Sequence, residues 1–109
     1  MARTPKKIGQ VSLNVSGSVV TIATGAAVQT QVTELYLCNT GASTRKVTLF
    51  AHGAGITAAN MLFKTIELAP EESKILEDKK IILASGDTLR AYQDTGTDVT
   101  ATAYGIEVV

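Results

Sequence analysis

The stretch LFAHGAGITAANMLF, residues 49 to 63, holds the groups best placed by type and spacing to do chemistry. His52, the only histidine of the chain, heads the run His52-Gly53-Ala54-Gly55 directly after a strand-like segment. A His-Gly-x-Gly loop in that position can offer backbone amides to an oxyanion, as in esterases. The same chemistry needs a nucleophile elbow, G-x-S-x-G, on a strand-to-helix turn. The nearest match, Gly41-Ala42-Ser43-Thr44-Arg45, ends in arginine and reads as a turn between strands. His52 would also have to serve as loop residue and base at once. Phosphate binding through Gly53 and Gly55 lacks the lysine that a P-loop requires. A cupin-like metal centre needs several histidines, so a metal here would have to combine His52 with distant carboxylates. The loop therefore reads as a connector whose glycines permit unusual backbone angles.

The remaining reactive groups are as isolated. Cys38 lies inside an apolar strand pattern, where a thiol behaves as a small hydrophobe. As the single cysteine it excludes an intrachain disulfide and a cysteine-rich zinc site. The carboxylate pairs Glu71-Glu72 and Glu77-Asp78 sit in turns beside lysines and read as solvated turn residues. We expect no catalytic residues, no cofactor and no metal. What remains is a set of candidate partner contacts: Arg3, Lys6, Lys7, Tyr36, His52, Tyr92 and Tyr104. The tyrosines sit at strand positions, where sheet packing or subunit contact is the plain reading. A stacking platform for sugars is the rival, weakened because tryptophan is absent.

These side chains must be positioned by one domain of 109 residues. Ten Lys+Arg balance ten Asp+Glu. A neutral chain has no electrostatic pull toward nucleic acid or an anionic membrane. It also has little net repulsion against self-association. Three cations in the first seven residues, without aromatics, would give only weak, salt-sensitive contact with nucleic acid. The opening MARTPKKIG lacks an apolar signal core. No apolar run approaches the ~20 residues of a membrane-spanning helix. Abundant Thr, Val, Ala and Gly, with no amphipathic helical period, indicate an all-β chain.

Residues 1 to 9 read as an extended, mobile basic arm, and residues 10 to 109 as a single sandwich domain. Val11, Leu13 and Val15 alternate with polar neighbours, and Ser16-Gly17 reads as a hairpin turn before Val20 and Ile22. In QTQVTELYLCNT, Leu35 and Leu37 share one face while Tyr36 and Cys38 share the other. KVTLFA is read as its returning partner, and Ala58, Ala59 and Asn60 as one helical turn in the loop from His52 to Asn60. MLFKTIELAP, two short strands around Asp78-Lys79-Lys80, and a strand bearing Leu89 and Ala91 follow. In VTATAYGIEVV, Val99, Ala101 and Ala103 point inward, and Gly105 marks a bulge that moves the inward positions to Ile106 and Val108. About eight short strands with turns every 8–12 residues predict a small antiparallel β-sandwich, jelly-roll-like.

The phrases VTELYLCNTGASTRKVTLF, NMLFKTIELAPEES, IILASGDTLRAY and the closing YGIEV follow one another in a recognisable rhythm. Residues 30 to 109 thereby resemble the small β-sandwich virion proteins of tailed bacteriophages. Such proteins occur as capsid decoration (cement) proteins, neck or collar components, and tail- or fibre-associated modules. The resemblance rests on strand and turn phrases, so it transfers no site residue. It implies a non-enzymatic structural protein that is assembled in the bacterial host cytoplasm and resides in the virion. It further implies a homo-oligomer, a trimer by analogy, that attaches to a major capsid, neck or tail protein. Open strand edges would be covered by neighbouring copies. A tail or fibre module contacting host glycan is the alternative.

Overall fold

Alternating apolar and polar residues leave each strand with one face to bury, and nine strands do so against one another. The computed structural model describes residues 3–52, 58–77 and 80–109. The strands are β1 (Arg3–Ser12), β2 (Val20–Thr24), β3 (Gln29–Asn39), β4 (Arg45–His52), β5 (Met61–Leu68), β6 (Ser73–Leu76), β7 (Ile81–Ala84), β8 (Thr88–Gln93) and β9 (Val99–Val108). They form two antiparallel sheets, one in the order β1-β9-β3-β6 with β7 also on β3, the other in the order β2-β8-β4-β5.

β6 and β7 are two halves of one interrupted strand. β6 pairs with the end of β3 (Leu35↔Leu76), β7 with its beginning (Val32↔Ile81). Counted together they leave eight strands in two four-stranded sheets, the jelly-roll order. The expected all-β sandwich is thus the fold. The core between the sheets is aliphatic: Leu35, Leu37, Val47, Leu49, Leu89 and Ala101 are each at most 1% exposed. Leu35 and Leu37 point inward and Tyr36 and Cys38 outward, as the alternation in β3 dictates.

Four local readings are corrected. The segment expected to be a mobile arm is a strand: from Arg3↔Val108 onward β1 is laddered to β9, and it runs without a break across the boundary drawn at residue 9. Its basic side chains do not prevent pairing, because only backbone groups form the ladder. Ser16-Gly17 is not a hairpin turn. Ser16–Ser18 form a short 3-10 turn that carries the chain from one sheet to the other. β4 likewise pairs with β5 and β8 rather than with β3, so the turn at 40–44 also changes sheets. Turn residues reverse a chain equally well within a sheet and between sheets, so their types do not distinguish the two.

Gly105 is not itself the bulge. Register slips where Val32↔Gly105 gives way to Glu34↔Tyr104, which makes Thr33 of β3 the extra residue. It slips again between Lys7↔Tyr104 and Gly9↔Ala103, which leaves Ile8 of β1 extra. The two neighbours therefore bulge at successive steps of β9, on either side of Tyr104. Val108 is buried as expected, whereas Ile106 is partly exposed. The turn at Ala58–Asn60 is a 3-10 turn. Gly53, Ala54 and Gly55 of the histidine loop, and Asp78-Lys79, lie outside the described residues.

Candidate functional site

The jelly-roll order places alternate connections at opposite ends of the sandwich. At one end sit the turns after β3, β5 and β8. At the other sit the turns after β2 and β7 and His52 at the close of β4. A polar network fixes the first end. Asn39, fully buried, occupies the inward phase of Leu35 and Leu37 at the close of β3. Its Nδ2 donates to the carbonyls of Ser43 (2.7 Å), Leu68 (3.2 Å) and Ala69 (3.1 Å). Its Oδ1 accepts from the Gly41 N–H at 3.0 Å. Gln93, in phase with Leu89 and Ala91, is equally buried. Its Oε1 accepts from the Val99 N–H (3.0 Å) and its Nε2 donates to Asp98 Oδ1 (2.8 Å).

Asp98 also accepts from Arg45 Nε at 2.8 Å, with the two side chains 24% and 18% exposed. The Arg45 hydrogen bond first, and then that of Gln93, lower the Asp98 carboxyl to about 2. Its folded value is therefore depressed below the ordinary carboxylate range. A depressed acid contributes stability above its unfolded value, and the contribution is lost as pH falls toward the folded one. Wild-type protein is expected to lose stability on acidification between about pH 4 and pH 2. Asp98→Asn should be less stable at neutral pH and flatter through that window in pH-dependent denaturant melts. An equal acid slope in both proteins refutes this role for Asp98. The network orders loops and offers no open site. Its sequence signal is polar residues standing at the inward phase of strand ends.

At the far end, His52 Nδ1 lies 3.3 Å from Asp87 Oδ2. His52 has a positive φ of 79°. Asp87 Oδ2 also accepts from the Ala84 N–H at 3.1 Å, so the carboxylate stabilises the turn after β7. Among the described residues no group of three or more His, Cys, Asp or Glu is arranged to hold a metal ion.

The broadest candidate is the outer face of the β1-β9-β3-β6 sheet. Pairing register sets Gln10, Thr102, Tyr36 and Ile75 in one cross-strand row. The adjacent row reads Lys7, Tyr104, Glu34. Tyr36 and Tyr104 meet edge to face, with centroids 5.6 Å apart and planes at 86°. Aromatic pairs favour this geometry because the positive ring edge meets the negative ring face. Tyr36 Oη donates to Glu34 Oε2 at 3.4 Å, and the Glu34 charge raises the phenol above its ordinary value, which keeps it protonated. Glu34, Tyr36, Thr102 and Tyr104 line an open depression of about 520 Å³. A second depression, about 550 Å³, adjoins it at Glu34 and Tyr104 and continues over Pro5, Lys6 and Lys7.

The structure thus brings Lys6, Lys7, Tyr36 and Tyr104 together, with Arg3 at the start of the same β1 strand. Lys6 is held by Glu107 at 3.4 Å. Tyr92 is elsewhere, on the other sheet, with its ring 5.7 Å from that of the buried Phe50. His52 stands apart at its own end. Glu34 and Thr102 join the face although sequence reasoning did not select them. Their signal was their alternation with the inward residues Leu35, Ala101 and Ala103. Fold and surface together define a small jelly-roll sandwich with one lightly charged, aromatic-bearing sheet face. No family model, curated protein or solved structure matches the chain.

Proposed function

We propose that this chain is a non-enzymatic assembly subunit, a virion structural protein of a tailed bacteriophage. It attaches as a capsid decoration or neck protein through contacts between folded subunits. The observation that carries the reading is the outer face of the β1-β9-β3-β6 sheet. Ile75, Ile82 and Tyr104 are 48%, 39% and 40% exposed there, around an edge-to-face tyrosine pair. Exposed aliphatic and aromatic groups on a sheet face suit contact with another protein. Groups with chemical potential are dispersed instead: His52 at one end, Asp98 at the other, Cys38 on the sheet face. The jelly roll is a frequent architecture of capsid proteins, and the strand phrases of residues 30 to 109 support the particle type. The partners on this reading are copies of itself and a major capsid, neck or tail protein.

The test is fractionation of particles from the genome that carries this reading frame. The chain should band with intact particles, and particles lacking it should disrupt at a lower temperature. Its absence from banded particles overturns the reading. A second reading, a tail or fibre module that binds host glycan, is favoured by one observation: the depression shared by Glu34, Tyr36, Thr102 and Tyr104. Glycan-array binding that Tyr104→Ala removes would select it.

A further inference from the structure

We infer that the outer face of the β1-β9-β3-β6 sheet joins two copies of this chain about a twofold axis that runs parallel to β9 over Tyr104. This rests on the assembly reading above and names a partner for the face. The argument begins with charge. In the row Lys7, Tyr104, Glu34, the two charged residues flank the tyrosine on neighbouring strands, each about 4.8 Å from β9. Lys7 Nζ donates to Gln10 Oε1 at 3.2 Å, and among the described residues Glu34 accepts only the long Tyr36 contact. Among the described residues neither has an ion-pair partner, so Lys7 and Glu34 present opposite charges on either side of Tyr104, and Glu77, just past β6, adds to the negative side.

A twofold axis parallel to the strands exchanges the two flanks. It sets Lys7 over the partner's Glu34, and Glu34 over the partner's Lys7. An axis across the strands would set lysine over lysine and glutamate over glutamate, which is repulsive. The row therefore discriminates between the two ways of stacking this face on itself. The permitted axis keeps the strands of both copies nearly aligned, as in face-to-face sheet packing at about −30°. Neighbouring rows fit the same contact. Thr100 and Thr102 are short, Ile75 and Ile82 are half-exposed aliphatics, and none is charged. Four strands by five outward rows cover roughly 600 Å² per copy, about 1,200 Å² in all, the lower limit for a specific interface.

Sedimentation velocity of the full chain over a concentration series tests this. Wild type should show a monomer–dimer equilibrium. Lys7→Glu and Glu34→Lys should each weaken the dimer about tenfold or more, because each opposes like charges. The double swap should return to within about threefold of wild type, which is the signature of direct pairing. Tyr104→Asp should leave only monomer. Thermal melts of each variant at a fixed low concentration check that the subunit stays folded. A wild type that remains monomeric throughout, a dimer indifferent to the swaps, or single swaps that the double swap fails to rescue would each overturn the inference. Those results leave the particle-fractionation outcome untouched, so the two readings fail separately.

Discussion

One methyl group added at Gly105 is expected to lower the melting temperature by roughly 15 °C. A Cβ built there overlaps the backbone carbonyl oxygen of Gln31 on the adjacent strand and crowds the Gln31 carbon at 2.9 Å. The carbonyl cannot swing away, because β3 is laddered to β9 on one side and β7 on the other. Relief would require β9 and β3, neighbours in one sheet, to part at the point where β3 already bulges. Overpacking against backbone costs about 3 kcal/mol, near the upper end for such changes, and a domain of this size loses about 5 °C per kcal/mol. Gly17→Ala is the matched control. Nothing lies within 4 Å of its built Cβ, so its melt should match wild type within error. Thermal and urea melts of the pair measure the difference. Equal melting of the two variants would show that the β9–β3 contact is looser than described.

Asn39 should rank with Gly105. Its amide supplies two N–H donors. One satisfies Ser43 O and the other is shared by Leu68 O and Ala69 O, while its oxygen holds the Gly41 N–H. Two connections of the chain, the turn after β3 that holds Gly41 and Ser43 and the turn after β5, converge on this one side chain. Asn39→Ala leaves those groups unpaired in a buried site, at a cost of about 3 kcal/mol. Asn39→Asp is the sharper test. It preserves shape and the acceptor but aims a carboxylate at three carbonyl oxygens. It should therefore destabilise at least as much as alanine at neutral pH, and recover part of the loss on acidification as the carboxyl gains a proton. Urea melts at two pH values read both effects. An aspartate variant as stable as wild type would refute the donor role.

Alternation made much of this molecule legible. Leu35 and Leu37 against Tyr36 and Cys38, and Val99, Ala101 and Ala103 against Thr100, Thr102 and Tyr104, carry their facing in the period of two. Which strand pairs with which was hidden. Ser16-Gly17 and residues 40–44 have hairpin composition, yet each passes between sheets, since turn chemistry is local and sheet membership is set by the packed whole. The bulges were misassigned for a related reason. Gly105 carried the visible anomaly, but the extra residues are Thr33 beside it and Ile8 one step further on, which are unremarkable in their own segments. The inward amides Asn39 and Gln93 were visible only as polar letters in an apolar phase, and their partners come from turns 30 and 6 residues away. The surface row Lys7, Tyr104, Glu34 required register across three strands, which no single segment contains.

The borders of the two sheets carry one more consequence. β1 has Pro5, two adjacent lysines and the Ile8 bulge; β6 and β7 are split; β5 slips register twice against β4; β2 is five residues long. A smooth, uncharged border is what lets identical chains add strand to strand into fibrils, and each border here is interrupted. The folded chain is therefore protected against polymerising strand to strand into amyloid-like fibres, and neighbouring copies are not needed to mask its borders.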